Sequence, residues 1–212
     1  DSTVIDGFFQ GDALLGPVVA RNPGLRVPGS WDGLEIAIRA IVGQQVSVQA
    51  ASTLMGRLVD RTGLPCRIEC DDEDHPLYRV FPDSDTLSAA DLSGLGITGQ
   101  RVEAIKAVAG AISKGELRFD GTQDTEEFCQ RICAIRGIGA WTAHYIALRA
   151  LRDPDAFPHG DLVLQQAAGT EGNRLTPARL LAESSRWRPW RAYAVMLLWR
   201  RHQLGISKAQ HE

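Results

Sequence analysis

The residues of this chain that are best suited to chemistry stand close together in the sequence. Asp161 follows Gly160 at the expected start of a helix, where a carboxylate can stabilise positive charge or accept a proton from water. Trp141 and Tyr145 are one helical turn apart, so their rings share a helix face on which a flat or cationic group can stack. Just before them, Gly137-Ile138-Gly139 leads into that helix, whose free N–H groups suit a phosphate.

Each of these features also has a purely structural interpretation. An aspartate at the start of a helix is a common N-cap, and the two roles are compatible because N–H donors favour the ionised carboxylate. Two glycines between helices commonly form a tight turn. Aromatic side chains at helical spacing are commonly core residues, and we assign Trp187, Trp190 and Tyr193 to the core on that ground.

The elements that would position these residues are predicted to be almost all helices. Nine segments are interpreted as helical: 32–44, 46–61, 86–92, 98–112, 124–134, 141–151, 161–166, 177–184 and 189–203. Asp32 and Thr98 stand where N-caps are expected, and Pro177 suits the first turn of a helix. Residues 62–85 predict a long connection with a short extended piece at 78–81. Because no alternating segment is strong enough to build a sheet, the predicted fold class is all-α.

Composition and charge restrict the class of protein. The 212 residues are 44% hydrophobic and 23% charged, as in globular domains, and neither a bilayer-spanning run nor a signal peptide is apparent. The net charge of −3 is not typical of a protein that binds nucleic acid. Arginines nevertheless cluster at 131–152 and 186–208 without intervening acids. They form either one basic face or ordinary solvated charge, and charge alone does not decide between the two.

The four cysteines, Cys66, Cys70, Cys129 and Cys133, are spaced in pairs, which raises the question of a zinc site. The first pair flanks an irregular, acidic stretch, and the second pair lies one helical turn apart beside apolar residues, as on a core-facing helix surface. Reduced thiols are therefore expected.

Several motifs together resemble a known family. The segment Ile135 to Tyr145, followed by Gly160-Asp161, resembles the helix-hairpin-helix and Gly/Pro…Asp signature of the DNA glycosylase superfamily. The stretches 23–29, 40–48 and 186–194 are similar to the bacterial 3-methyladenine DNA glycosylase II (AlkA) family. The resemblance covers nearly the whole chain from about residue 10, with the motifs in the family's order.

The resemblance implies the helix-hairpin-helix DNA glycosylase fold, in which two helical subdomains flank the active-site cleft. Residues 32–140 would form the central subdomain up to the hairpin, and residues 1–31 and 141–212 the second, which carries the aspartate. The α/β domain that the family carries at its N-terminus is expected to be absent from this chain.

The implied function is a monofunctional DNA glycosylase. It would excise alkylated bases of the 3-methyladenine and 7-methylguanine type from duplex DNA, by hydrolysis of the N-glycosidic bond after base flipping, in base excision repair. Asp161 matches the family's catalytic aspartate. Trp141 stands where bifunctional relatives have a nucleophilic lysine, so no lyase activity is expected.

The resemblance also assigns residues that would contact DNA. Trp141, Tyr145 and Trp199 would stack on the flipped base, beside Leu162, which replaces an aromatic residue and would leave the pocket more open. Gln45 occupies the position of the wedge that fills the gap left by flipping, where the best-known relative has leucine.

The hairpin would contact phosphate through Gly137, Gly139 and Thr142. By position, the backbone carbonyls of Cys133, Ile135 and Ile138 would hold a Na⁺ or K⁺ ion, although Arg136 replaces the proline of many relatives.

No cofactor beyond this structural ion is expected. The implied partner is double-stranded DNA that contains damaged bases, and the implied state is a monomer in the bacterial cytoplasm, associated with the nucleoid and not with a membrane.

Three alternatives stay open at this point. A non-catalytic helix-hairpin-helix module that binds DNA would need Gly137 and Gly139, but neither Asp161 nor the aromatic face. A monofunctional glycosylase for another class of lesion would keep the same residues. The chain could also be a domain cut from a longer protein and lack full activity.

Overall fold

In the computed structural model, the described residues are 1–66, 78–170 and 173–205. The chain divides into two compact units. One, which we call the hairpin unit, is Trp31–Gly139; the other, the aspartate unit, combines Asp1–Ser30 with Ala140–Glu212. The boundaries expected from the sequence lie one residue away from these.

Helices dominate the described residues of both units. They are α1 Ser2–Gln10, α2 Gly16–Arg21, α3 Gly33–Val42, α4 Val48–Thr62, α5 Ser84–Ala89, α6 Gly99–Ser113, α7 Thr125–Cys133, α8 Ala140–Ile146, α9 Leu162–Ala168, α10 Pro177–Glu183 and α11 Arg191–Gln203. Two short antiparallel strands, β1 Leu64–Pro65 and β2 Arg79–Val80, pair within the predicted long connection. A π-helical turn, Ala147–Leu151, continues α8, and a 3-10 turn, Ser184–Trp187, continues α10.

All nine predicted helices are present, but the sequence analysis missed α1 and α2, which precede them. The 86–92 helix is displaced, because Asp83 rather than a later residue caps α5 through the N–H of Thr86. The 141–151 helix changes to π-helical geometry in its second half. The extended piece expected at 78–81 is confirmed as β2.

In the hairpin unit, α6 packs against α3 and α5, and their apolar faces form the core. Ile38 and Ile41 of α3 and Ile105 and Val108 of α6 have no exposed surface. The predicted cap is confirmed at Asp32, whose carboxylate accepts the N–H groups of Leu34 and Glu35. The N-cap position predicted for Thr98 is confirmed in α6, although its side chain makes no cap hydrogen bond.

The cysteines of the hairpin unit do not share one environment. Cys129 is buried in α7, whereas Cys133 is exposed, so the expected core-facing pair is wrong for Cys133. Cys66 is half-buried, and Cys70 lies outside the described residues. Across residues 1–66, 78–170 and 173–205, no three His, Cys, Asp or Glu side chains form a group that could hold a metal ion.

In the aspartate unit, α11 packs against α9 and α2. The buried guanidinium of Arg201 connects α11 to α9 and to the turn before α2, because it donates to the carbonyl oxygens of Ala167, at 3.1 Å, and Leu14, at 3.4 Å. Burial lowers the pKa of Arg201, because removal from water disfavours the charged guanidinium. In the part of the chain that the structure describes, no helix is long and apolar enough to cross a membrane.

Asp12 joins the start of this unit to its 3-10 turn. One carboxylate oxygen accepts the N–H groups of Leu14 and Leu15, and the other accepts the indole N–H of Trp187 at 2.8 Å and the guanidinium of Arg186 at 3.1 Å. Burial raises the pKa of Asp12, but the bond from Trp187, the two backbone bonds and Arg186 together hold it below its ordinary value. Asp12 therefore stabilises the fold in its ionised form.

Replacing Asp12 with Asn is expected to lower the free energy of unfolding near neutral pH by about 2 kcal/mol, because an amide donor would face the indole donor of Trp187. Since the folded-state pKa of Asp12 lies below its ordinary value of 3.8, the stabilisation is present above that value and is lost as pH falls through the folded-state pKa. Urea denaturation of the wild type and D12N across this range measures the effect. A difference between the two proteins that stayed constant at acidic pH would contradict it.

Candidate active site

The carboxylate of Asp161 accepts hydrogen bonds on both of its oxygens. Oδ1 accepts the backbone N–H groups of Val163 at 2.9 Å and Leu164 at 3.0 Å, which makes Asp161 the N-cap of α9. Oδ2 accepts the indole Nε1–H of Trp141 at 3.0 Å. Asp161 is half-buried, so the carboxylate keeps access to solvent while three donors fix its orientation.

The loop that leads to Asp161 is anchored at its beginning. Arg191, the first residue of α11, forms a bidentate pair with Asp155, with both N···O distances at 2.8 Å. The N–H of Ala192 donates to the carbonyl of Pro154, and the N–H of Asp161 donates to the carbonyl of Pro158. These bonds place the start of α9, and with it the carboxylate, relative to α11.

The two rings predicted to stack on a base stack on each other. Trp141 and Tyr145 have ring centroids 5.4 Å apart and planes inclined by 15°. Arg149, one further turn along, places its guanidinium carbon 5.9 Å from the centroid of Tyr145. Trp141, Tyr145 and Arg149 follow one another at intervals of four residues, and we call these three side chains the aromatic ladder. Sequence reasoning missed Arg149, although its four-residue spacing from Tyr145 was the available signal.

The other two residues assigned to the base pocket are Trp199 and Leu162. Trp199 is half-buried in α11, and the structure does not place its ring in stacking contact with Trp141 or Tyr145. Leu162 follows Asp161 directly and is 55% exposed, so its side chain is accessible to a partner.

A pair of histidines beside the aspartate was not anticipated as a feature of the site. The rings of His144, on α8, and His159, two residues before Asp161, are 6.1 Å apart in an edge-to-face arrangement. The Nδ1 atom of His159 is buried and has no hydrogen-bond partner among the described residues. The signal in the sequence was the proximity of His159 to Asp161.

The hairpin residues differ in what the fold requires of them. Gly137 has a φ of +94°, a conformation that side chains rarely adopt, so the turn itself requires glycine there. Gly139 has no positive φ, and a Cβ built on it would meet nothing within 4 Å. The open space beside Gly139 therefore allows another molecule to approach the backbone closely. Thr142 is 3% exposed, so its hydroxyl has almost no surface to offer a phosphate.

The three carbonyl groups assigned to a monovalent cation belong to the end of α7 and the hairpin turn. The carbonyl of Ile135 accepts the N–H of Ile138 at 3.1 Å and keeps a second lone pair. Like the carbonyls of Cys133 and Ile138, it is a neutral, hard oxygen donor, the kind of ligand that Na⁺ or K⁺ prefers over a soft donor.

The wedge position is a point of backbone strain. Gln45 lies between α3 and α4, is exposed, and has a φ of +52°. Among the described residues, Arg152 is the other non-glycine residue with positive φ.

Three arginines of the basic cluster near the C-terminus pair with acidic side chains of the same unit. Arg186 pairs with Asp12 at 3.1 Å, and both Arg188 and Arg191 pair with Asp155, at 2.9 and 2.8 Å. Sequence reasoning missed these pairs because the acids come from distant parts of the chain, whereas only neighbouring acids were considered.

The chain is similar in sequence to several known proteins. No family model matches the chain. It is 39% identical over 199 residues to a Mycobacterium tuberculosis protein named probable bifunctional transcriptional activator/DNA repair enzyme AlkA, covering 94% of this chain and 39% of that protein. It is 38% identical over 192 residues to DNA-3-methyladenine glycosylase 2 of Escherichia coli, covering 89% of this chain and 64% of the relative. The chain thus spans less than two thirds of the length of either relative.

Solved structures share the fold. The 3-methyladenine DNA glycosylase Mag1 of Schizosaccharomyces pombe, in complex with abasic DNA, has a TM-score of 0.76 at 21% identity, covering 93% of this chain and 95% of that one. The 3-methyladenine DNA glycosylase of Archaeoglobus fulgidus has a TM-score of 0.79 at 22% identity, with coverages of 97% and 71%. The predicted helix-hairpin-helix DNA glycosylase fold is confirmed.

One relative is matched over most of its own length. The DNA-3-methyladenine glycosylase of Bacillus subtilis is 30% identical over 208 residues, which cover 94% of this chain and 67% of that enzyme. The chain therefore belongs to the DNA-3-methyladenine glycosylase family.

Proposed function

We propose that this chain is a monofunctional DNA glycosylase that removes alkylated bases of the 3-methyladenine and 7-methylguanine type from double-stranded DNA, as a monomer in the bacterial cytoplasm. It hydrolyses the N-glycosidic bond of a flipped nucleotide and starts base excision repair. The observation that carries this proposal is the carboxylate of Asp161, which is oriented by three N–H donors beside the stacked rings of Trp141 and Tyr145.

The proposed chemistry needs a fixed negative charge. When the bond between C1′ and the base nitrogen breaks, both electrons leave with the base and positive charge develops on the sugar. The ionised Asp161 stabilises that charge, and its orientation is set before the reaction begins, so little reorganisation is needed. Water then attacks C1′ and gives up a proton, which the carboxylate is placed to accept. The products are the free base and an abasic site.

The aromatic ladder suggests where the base binds. Because Trp141 and Tyr145 stack on each other, a flipped base stacks against the outside of the pair rather than between the rings. Arg149 already lies at the Tyr145 end, so we assign the base to the Trp141 end, beside the carboxylate. An alkylated purine carries positive charge, which an indole face attracts, and it is already a good leaving group.

The lack of lyase activity in this proposal follows from the side chain at position 141. An indole cannot form a Schiff base with the sugar, and the sequence holds only three lysines, Lys106, Lys114 and Lys208, none of them in α8. The strand is therefore left intact.

The hairpin is proposed to hold the DNA backbone. The open space beside Gly139 lets a phosphate approach the backbone N–H groups, which attract it without requiring net positive charge. The carbonyls of Cys133, Ile135 and Ile138 are proposed to bind Na⁺ or K⁺ and so to stiffen this turn.

Changing Asp161 to Asn is expected to abolish base release, with a loss of about a hundredfold or more. Asparagine is as good an N-cap as aspartate, so D161N keeps the start of α9 while it removes both the charge and the oxygen that accepts the indole N–H of Trp141. The measurement is free base released from duplex DNA that contains 7-methylguanine or 1,N6-ethenoadenine. The matched control is D83N, at the N-cap of α5, which should keep full activity.

The outcomes of this assay separate the alternatives. Equal release by the wild type and D161N would remove Asp161 from its proposed role. Duplex binding without release by either protein would identify a non-catalytic DNA-binding module. Release of ethenoadenine without 7-methylguanine would identify a glycosylase for another class of lesion.

Changing Trp141 to Phe is expected to lower kcat about tenfold to a hundredfold, because the charge-assisted bond to Asp161 is lost while an aromatic ring remains. The matched control is Y145F, which keeps the stacked ring and removes a hydroxyl that does not contact Asp161. Single-turnover base release at saturating enzyme measures the effect. If W141F and Y145F lost equal activity, the indole N–H would have no role in orienting the carboxylate.

We expect no covalent intermediate during turnover. Borohydride added to a reaction on lesion-containing duplex should trap no enzyme–DNA adduct, and the strand should break only after treatment with hot alkali. Denaturing gels that resolve intact from cleaved DNA measure both. A trapped adduct would overturn the monofunctional assignment, and variants of Lys106, Lys114 and Lys208 would then locate the amine.

A further inference from the structure

We propose that Arg101 and Gln44 are positioning residues that hold Gln45 in its left-handed conformation and thereby present its side chain to the DNA duplex as a wedge. This inference rests on the proposed function and adds to it residues that act through Gln45. All four residues involved, including Gly137, lie in the hairpin unit.

Gln45 adopts a conformation that needs support. At a φ of +52° its Cβ crowds its own carbonyl group, which glycine would avoid at no cost. Such strain persists when neighbouring contacts impose it, and it is concentrated where a side chain must be aimed. Gln45 is also exposed, so its own side chain is not packed into the core in a way that would impose the conformation.

The contacts that hold Gln45 in this conformation are made by the preceding residue, Gln44. The guanidinium of Arg101 donates to the main-chain carbonyl of Gln44. That carbonyl belongs to the peptide group joining Gln44 to Gln45, so fixing it restricts rotation on both sides of the peptide, including φ of Gln45. The bond is charge-assisted, which makes it stronger than an ordinary backbone contact.

A second hydrogen bond, which we call the tie to Gly137, connects Gln44 to the hairpin. The side-chain Nε2 of Gln44 donates to the carbonyl of Gly137 at 3.1 Å. Gly137 is the hairpin glycine that the turn requires. We call the turn between α3 and α4, which carries Gln45, the wedge turn. The side chain of Gln44 therefore holds the wedge turn at a fixed spacing from the proposed phosphate-binding turn at Gly137.

The surroundings leave room for Gln45 to act. A cavity of about 450 Å³ is bordered by Gln44, Gln45, Thr98, Gln100, Arg101 and Gly137. Beside this space the backbone of the wedge turn is held by Arg101 and by the tie to Gly137, while the exposed side chain of Gln45 can reach a partner. A wedge held in this way enters a duplex without first having to be ordered.

The test is a double-mutant cycle on base release. R101M is expected to slow release from a paired lesion roughly tenfold, the size of one lost charge-assisted bond. In a Q45A background the same change should have little further effect, because Arg101 acts through Gln45. With the lesion in single-stranded DNA, where no wedge is needed, R101M should match the wild type.

The matched control is R57M, which removes another arginine of the same unit that donates to a backbone carbonyl, that of Leu95. It should leave release unchanged. If R101M does not fold, Q44M breaks the tie to Gly137 instead and should give the same pattern. A loss by R101M that is equal on paired and single-stranded lesions, or equal in the Q45A background, would identify Arg101 as merely structural and overturn the proposal.

A binding readout separates this proposal from the proposed function. In duplex DNA with 2-aminopurine opposite a stable abasic-site analogue, insertion of Gln45 should raise the 2-aminopurine fluorescence. R101M and Q45A should both reduce that rise, and R57M should not. If the wild type releases no base yet gives this pattern, the enzymatic function fails and the positioning role stands. No difference between R101M and the wild type in this readout would overturn the positioning role.

Discussion

The hydrogen bond from the indole of Trp141 to the carboxylate of Asp161 is the interaction on which the rest of the candidate site depends. One carboxylate oxygen is committed to the start of α9 and the other to this indole, so the group cannot rotate without breaking a bond. The ion pair between Arg191 and Asp155 serves the same end, because it anchors the loop that brings Asp161 to this place. Electrostatic catalysis requires such orientation before the substrate arrives.

The distribution of charge explains how an acidic chain can belong to a family of DNA repair enzymes. Its net charge is −3, and three of its C-terminal arginines pair with Asp12 and Asp155 inside the aspartate unit. Of these three, Arg191 is largely buried, and its pair with Asp155 anchors the loop that leads to Asp161. A phosphate at the hairpin would instead meet backbone N–H dipoles beside Gly139, where a Cβ would contact nothing. Binding of this kind depends on the geometry of the turn more than on the number of cations.

Much of the fold could be predicted because its signals are local. Asp32 and Pro177 marked the starts of helices that the structure contains, and the apolar periodicity located nine of them. Helices α1 and α2 were missed, although Asp1 caps the first and a proline stands in the first turn of the second, as in the helices that were predicted. Thr98 occupies the N-cap position of α6 without a side-chain bond to the backbone of that helix. Residue type predicts the position of a cap, but it does not fix the orientation of the side chain.

The sequence by itself determined which chemical groups are available: a carboxylate at 161, an indole in place of an amine at 141, and glycines in the hairpin. Residue type and local spacing suffice for that. The tertiary structure decided how the groups are used. It joined Trp141 to Asp161 across twenty positions and stacked Trp141 on Tyr145. It also tied Gln44 to Gly137, ninety-three residues away. Such contacts depend on how distant segments fold together and where their side chains point, which no local pattern encodes.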